Sequence, residues 1–171
     1  MVNNELQIRE LMPEDAKALL AFTKRVGGET DNLTFGADGI PISEAAEQTM
    51  LAEMQEDPKS IMLGVFREDE LIANGSIHSM PRRMSHRAEL GITVIRDEWN
   101  KGIGSILMEK LIEFAKDAGI EILNLEVQAD NTNAVHLYEK YGFRHIGTSP
   151  AYFKIGDEYV DFEIMYLDLR G

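Results

Sequence analysis

The sequence predicts an α/β (α+β) fold, a mixed central sheet of about seven strands with flanking helices. Three observations carry that expectation. Short alternating or apolar runs interleave with stretches of helical spacing in the order β-α-α-β-β-β-α-β-α-β-β. Two glycines, Gly102 and Gly104, stand between an apolar strand and a long amphipathic run. The 171 residues, 44% hydrophobic and 27% charged, match an ordinary globular chain with room for a substantial core. A single domain over residues 1–171 is expected, without internal repeats or low-complexity segments.

Leu6-Gln7-Ile8-Arg9 alternates as a first strand. Pro13 suits the first turn of a helix, and Ala16, Leu19, Leu20 and Thr23 then recur on one face to about Arg25. Gly27-Gly28 is expected to stop that helix. Residues 29–41, with Gly36, Gly39 and Pro41, have no clean period and read as a loop. Ser43 is placed to cap a second helix with Ala46, Met50, Leu51 and Met54 as its apolar face, ending near Asp57-Pro58.

Residues 61–66, a polar turn at 67–70 and residues 71 to about 80 form a hairpin. His78 lies on its second strand, either as a satisfied strand histidine or as a base. Residues 81–87 make a basic turn. The strand at 88–95 places Ala88, Leu90, Ile92 and Val94 on one face and Glu89, Gly91 and Thr93 on the other. Ile103, Ile106, Leu107, Leu111, Phe114, Ala115 and Ala118 mark a helix face that Gly119 ends. Leu123, Leu125 and Val127 alternate on the next strand. Asp130 or Asn131 caps a short helix with Ala134, Leu137, Tyr138 and Tyr141 inward, closed by Gly142. Residues 144–149 and about 159–169 are the last two strands, with Gly156-Asp157 in the turn.

No apolar run reaches the roughly 18 residues of a membrane span. Met1-Val2-Asn3-Asn4-Glu5 is not a basic segment leading an apolar stretch, so no secretory signal is expected. The chain has no cysteine, which excludes disulfides and protein thiol catalysis. Together these features predict a cytoplasmic protein. The net charge of −13 is uneven: residues 1–80 hold 15 acids against 6 bases, and residues 81–171 hold 15 against 11. Such a balance argues against nucleic-acid binding and favours a cationic substrate such as an amine. It equally serves solubility.

Arg96-Asp97-Glu98-Trp99-Asn100-Lys101-Gly102-Ile103-Gly104-Ser105 joins a strand to a helix start, where free amides and the positive dipole end suit a phosphate. A plain strand-to-helix connection is the alternative. Lys101 precedes Gly102 and no Gly-Lys-Ser/Thr follows, so this is not a Walker loop. Leu107 occupies the place of the third glycine in a dinucleotide fingerprint. Downstream, residues 131–143 read Asn-x-x-Ala-x-x-Leu-Tyr-x-Lys-x-Gly-Phe, with Asn131 27 residues beyond Gly104. With Trp99-Asn100-Lys101-Gly102-Ile103-Gly104, this pattern resembles the acetyl-CoA-binding signature of the GNAT acyltransferase superfamily. The resemblance covers the chain from Glu89 onward and matches the first half in outline.

The resemblance implies a GNAT fold with a splayed central strand pair and acetyl-CoA as co-substrate, with no metal. It implies binding by Ile92, Thr93, Val94, Trp99, Asn100, Lys101, Gly102, Ile103, Gly104, Ser105, Asn131, Ala134 and Tyr138. The pantetheine arm would pair with backbone groups of the splayed strand, and Gly91 tolerates a close ligand there. Tyr138 would donate to the leaving thiolate, and an N–H near Ile92 to Val94 would polarise the carbonyl. Glu89 would take the amine's proton or act as a structural carboxylate. Glu29, Thr30, Asp31, Phe35 and Glu89 are candidates for the acceptor side. Trp99 stands where Arg or Gln is usual, so the loop amides, Lys101 and Arg96 would carry more of the phosphate charge. Asn133 and His136, often basic in relatives, carry no formal charge here. Two readings follow: an N-acetyltransferase for a small amine (polyamine, amino-acid-like or antibiotic) or a peptide amine, or a non-catalytic acyl-CoA-binding domain. Dimers are common among relatives, so a homodimer is included in the expectation.

Overall fold

The computed structural model describes residues 5–171, so Met1-Val2-Asn3-Asn4, and the leader reading that rests on them, lie outside the described residues. The chain runs β1 (Leu6–Glu10), α1 (Ala16–Glu29), α2 (Glu44–Glu56), β2 (Ile61–Arg67), β3 (Glu70–Ser79) and β4 (Arg87–Val94). It continues through α3 (Ile103–Asp117), β5 (Ile122–Gln128), α4 (Thr132–Lys140), β6 (Arg144–Ile155) and β7 (Glu158–Asp168). The element order is the one the periodicity predicts. All seven strands join one mixed sheet in the order β1-β2-β3-β4-β5-β7-β6, with β4 and β5 its parallel pair. No helix among the described residues is long and apolar enough to cross a membrane.

Alternation decides which way each central strand faces. Ala88 and Leu90 of β4 and Leu123 and Leu125 of β5 are buried together with Leu107, Met108 and Leu111 of α3. Gly75 lets α3 approach β3, because a methyl group there would lie 2.9 Å from Leu111 Cδ1. The opposite face of the same strands stays polar. His78 pairs with Glu89, Ser76 with Gly91, and Glu89 with Asn124.

Three expectations need correction. α1 does not stop at Gly27-Gly28; it runs to Glu29. Gly27 is needed for contact instead: a Cβ there would lie 2.0 Å from the Gly36 carbonyl oxygen, so the missing side chain admits the α1–α2 loop. The buried side of α2 is Glu47 and Leu51, one turn apart, whereas Ala46 and Met50 are exposed. Desolvation pushes the Glu47 carboxyl above its ordinary value. Ser43 does cap this helix, accepting from Ala46 N at 3.1 Å. β6 continues past Ser149 to Ile155, through Pro150 and a bulge where Ala151 has φ 50°. An edge strand tolerates both.

The loop after β4 is pinned from below. Glu98 is buried and meets Arg67 through two parallel 2.9 Å bonds, with Lys101 Nζ at 3.6 Å. Bonding to Arg67 holds the Glu98 carboxyl below its ordinary value of 4.5, against the opposing effect of burial.

Two stability outcomes follow. Gly28→Ala meets only Ala37 Cβ at 3.5 Å and should stabilise by up to about 1 kcal/mol through helix propensity. Gly27→Ala should lower the melting temperature despite the same propensity gain, and equal effects at the two sites would contradict the account. For Glu98 the depressed folded-state pKa means that its stabilisation is full above 4.5 and fades as pH falls through the folded value. The gap in melting temperature between wild type and Glu98→Gln should therefore narrow from about pH 6 to about pH 3. A gap that holds constant would remove the ion pair from the account.

Candidate active site

The path from Val94 to Ile103 sets what can bind beside it. Asn100 (φ 61°) and Gly102 (φ 83°) are both left-handed, a conformation that glycine adopts at little cost. The first bond of α3 runs from Ile106 N–H to the Gly102 carbonyl, at 3.1 Å. Among the described residues, no backbone N–H of residues 100–105 donates a hydrogen bond. Gly102 offers no side-chain cap, and the first turn of α3 carries no acid. These bare donors at the positive end of a 15-residue helix form a site for an anion. They line a cleft of about 590 Å³.

The cleft continues into a fork in the sheet. β4 and β5 pair at Arg87↔Ile122, Ala88↔Leu123 and Glu89↔Asn124, and no further. Beyond Glu89, β4 stays paired to β3 through Val94, and β5 stays paired to β7 through Gln128. Each strand thus has one satisfied edge and one that faces its diverging neighbour. Backbone groups on those inner edges are available to an extended ligand. Trp99 borders the opening, with its indole N–H donating to the Val94 carbonyl at 2.8 Å. Gly104 keeps α3 and α4 close, since a Cβ there would lie 3.0 Å from Leu137 Cδ2.

Asn131 caps α4 by accepting from Ala134 N at 3.4 Å, and Gly142 closes that segment with φ 93°. Tyr138 on this helix is buried, lines the cleft, and packs on Phe143 with ring centroids 5.8 Å apart. Among the described residues its hydroxyl makes no hydrogen bond. Burial pushes its phenol up to about 12, so near neutral pH it is an uncharged donor.

The polar face of the sheet supplies carboxylates. Glu126 shares the face of Glu89 and Asn124, by the two-residue period of β5. The Tyr152 hydroxyl, from β6, donates to Glu126. That bond, then burial and the charges of Glu126 and Glu89, push the Tyr152 phenol up to about 12. Both carboxylates therefore act on the same ring hydroxyl. His78, opposite Glu89, is held below its ordinary pKa by desolvation, with Glu89 offsetting only part.

The residues expected to hold acetyl-CoA converge. Ile92, Thr93, Val94, Trp99, Asn100, Gly102, Ile103, Gly104, Ser105, Asn131, Ala134 and Tyr138 all line the 590 Å³ cleft, and Lys101 turns to Glu98 instead. The acceptor candidates scatter. Thr30 lines the cleft, and Asp31 lines a second one. The Glu29 carboxylate accepts from Arg96 N at 3.1 Å, and Phe35 packs against the core. Glu89 stands on the polar sheet face. The Arg96 guanidinium bonds the Glu29 carbonyl, so it ties the loop to α1. Sequence reading missed Glu126, Tyr152 and Gln128. The alternation of Asn124, Glu126 and Gln128 against Leu123, Leu125 and Val127 was the available signal for two of them.

Comparison with known proteins agrees with this geometry. Residues 31–143 match the model of the acetyltransferase (GNAT) family. The crystal structure of a GNAT-family acetyltransferase from Streptococcus pneumoniae superposes with a TM-score of 0.93 at 34% identity, covering 96% of this chain and 100% of that one. An L-amino acid N-acetyltransferase, AaaT, from Escherichia coli K12 is 38% identical over 86 residues, covering 50% of this chain and 52% of that one. The chain therefore spans about half the length of that curated relative. The acetyltransferase-like yncA of Salmonella typhimurium, solved with acetyl-CoA, shares the fold at a TM-score of 0.84 and 17% identity, over 97% of this chain and 95% of that one. With the family match, the forked sheet and the uncapped helix tip all in place, this chain belongs to the GNAT family of acetyltransferases, a family of acyl-transferring enzymes.

Proposed function

We propose that this protein transfers an acetyl group directly from acetyl-CoA to a primary amine of a small molecule. The observation that carries this reading is the run of unpartnered amides at residues 100–105, opening onto the unpaired edges of β4 and β5. A pyrophosphate satisfies the first set and an extended amide-bearing arm the second. The Salmonella neighbour holds acetyl-CoA on the same fold, which supports the assignment.

On this reading the thioester lies at the fork beside Tyr138. A neutral amine attacks the carbonyl carbon, forming the C–N bond, and a strand N–H near Ile92 to Val94 stabilises the oxyanion. The C–S bond then breaks. The nitrogen's proton leaves through Glu126 or Glu89, the carboxylates on the adjoining sheet face. Tyr138 faces a thiolate whose ordinary pKa, about 8.5, lies below that of the buried phenol. The phenol therefore stabilises the leaving sulfur by hydrogen bonding, and the thiolate gains its proton from solvent on release.

Tyr138→Phe should lower kcat by about tenfold or more while leaving the KM for acetyl-CoA nearly unchanged, measured as CoA thiol release with an amine panel. Unchanged turnover would remove Tyr138 from the reaction. Acetyl-CoA binding without turnover on any amine would favour an acyl-CoA-binding module instead.

A further inference from the structure

The bulge in β6 re-aims one aromatic ring. Ser149 pairs with Phe162 and Phe153 with Val160, so Pro150, Ala151 and Tyr152 stand opposite Asp161 alone. Ser149 shares a face with Phe162, and through the β5–β7 pairing with Gln128, Glu126 and Asn124. In an unbroken ladder Tyr152, three residues on from Ser149, would project from the opposite face. The left-handed Ala151 (φ 50°) turns it back. The Tyr152 ring lies 4.6 Å from that of Phe162, and its hydroxyl donates to Glu126.

A left-handed alanine persists only where its surroundings hold it, and such residues gather at functional sites. Two sets of contacts hold this one. The Ala151 N–H donates to Asp161 Oδ1 at 2.9 Å. The Tyr152 ring packs against Phe153, at 5.7 Å, as well as Phe162. From there the hydroxyl crosses a whole strand, because β7 lies between β6 and β5, which are roughly 10 Å apart.

Its partner stands at the fork. β4 and β5 part after Glu89↔Asn124, and two residues further along each strand come Gly91 and Glu126, on the same face. Gly91 leaves the ground between them open: among the described residues a Cβ there would meet only Ser76 Oγ, at 3.6 Å. A glutamate beside such an opening has many rotamers to choose from. The Tyr152 hydroxyl selects one. No hydrogen bond holds the Glu89 carboxylate in that way among the described residues.

We infer that Tyr152 is a positioning residue for acetyl transfer, and that the carboxylate it holds, Glu126, receives the proton of the attacking amine. This rests on the acetyl-transfer reading and selects between the two carboxylates named there. The nitrogen bonds to the thioester carbon, the C–S electron pair leaves with sulfur, and the N–H proton passes to a Glu126 carboxylate oxygen. Glu89 contributes negative charge beside them. Displacing a reacting group by about 1 Å costs on the order of 100-fold in rate, so the tether has a kinetic consequence.

The test is a pair of double-mutant cycles on the full chain, read as CoA thiol release from acetyl-CoA. The acceptor is whichever of butylamine, 1,4-diaminobutane and alanine the wild type uses best. Tyr152→Phe removes the hydroxyl and keeps the ring; it should lower kcat about tenfold, with the KM and calorimetric affinity for acetyl-CoA unchanged. Glu126→Gln should lower kcat about 100-fold or more, and adding Tyr152→Phe to it should cost nothing further. With Glu89→Gln, by contrast, the loss from Tyr152→Phe should appear in full. An unmoved kcat in Tyr152→Phe, weakened acetyl-CoA binding in that variant, a smaller loss from Glu126→Gln than from Glu89→Gln, or full losses in the Glu126 cycle overturns the inference. In each of those cases wild-type turnover leaves the acetyl-transfer reading standing. A wild type that binds acetyl-CoA and acetylates no amine overturns both.

Discussion

Backbone groups that the fold leaves unpaired are the constraint on which this molecule is organised. Buried or partly buried amides and carbonyls are almost always satisfied within a protein. Here the amides of residues 100–105 have no protein partner among the described residues, and the inner edges of β4 and β5 diverge after Glu89 and Asn124. Keeping them open takes specific residues. Gly102 gives the left-handed turn and withholds a capping side chain, and Gly104 lets α4 close in without covering the helix tip. Arg67 and Glu98 fix the loop base, and Glu29 holds Arg96 at its side. The resulting cleft is where the proposed phosphate-tailed thioester would lie.

Electrostatics divides the site into two halves. Around the helix tip, charge recognition falls to backbone dipoles, because Lys101 is drawn to Glu98 and Arg96 to the end of α1. Across the sheet, carboxylates dominate: Glu89 and Glu126 act on Tyr152, and Asp31, Asp130, Glu158 and Asp161 line the second cleft. On the proposed reading, a chain with net charge −13 would bind an anion through uncharged amides while keeping its acids to the other side of the site. Separating the two functions keeps the acidic surface from opposing phosphate binding at the loop.

The parts of the fold legible in the sequence were those governed by local rules. Gly102, Gly119 and Gly142, each at positive φ, mark helix boundaries that periodicity also indicates. Tyr138 could be placed on the inner face of its helix because Ala134 and Tyr141 share that spacing. Where tertiary contact decides, local rules misled. Gly27-Gly28 reads as a stop, yet the helix continues because Gly27 meets Gly36 rather than ending a turn. In α2, Ala46 and Met50 look inward by composition, but the helix packs through Leu51 and carries Glu47 in with it. The strand expected over residues 144–149 continues to Ile155, because the edge position of β6 allows Ala151 to bulge and the strand to resume. The pairing of Glu126 with Tyr152 joins residues 26 positions apart across strands, a relation no local pattern encodes.

The most direct test separates the two halves of the proposed grip. Calorimetric titration of the protein with acetyl-CoA and with S-acetylpantetheine, which lacks the pyrophosphate and nucleotide, sets an upper bound on the contribution of the loop amides. Saturable binding of acetyl-CoA, with affinity for the truncated thioester weaker by about a hundredfold or more, is the predicted result. Equal affinities, or no heat with either ligand, would contradict the claim that the bare amides of residues 100–105 hold a phosphate.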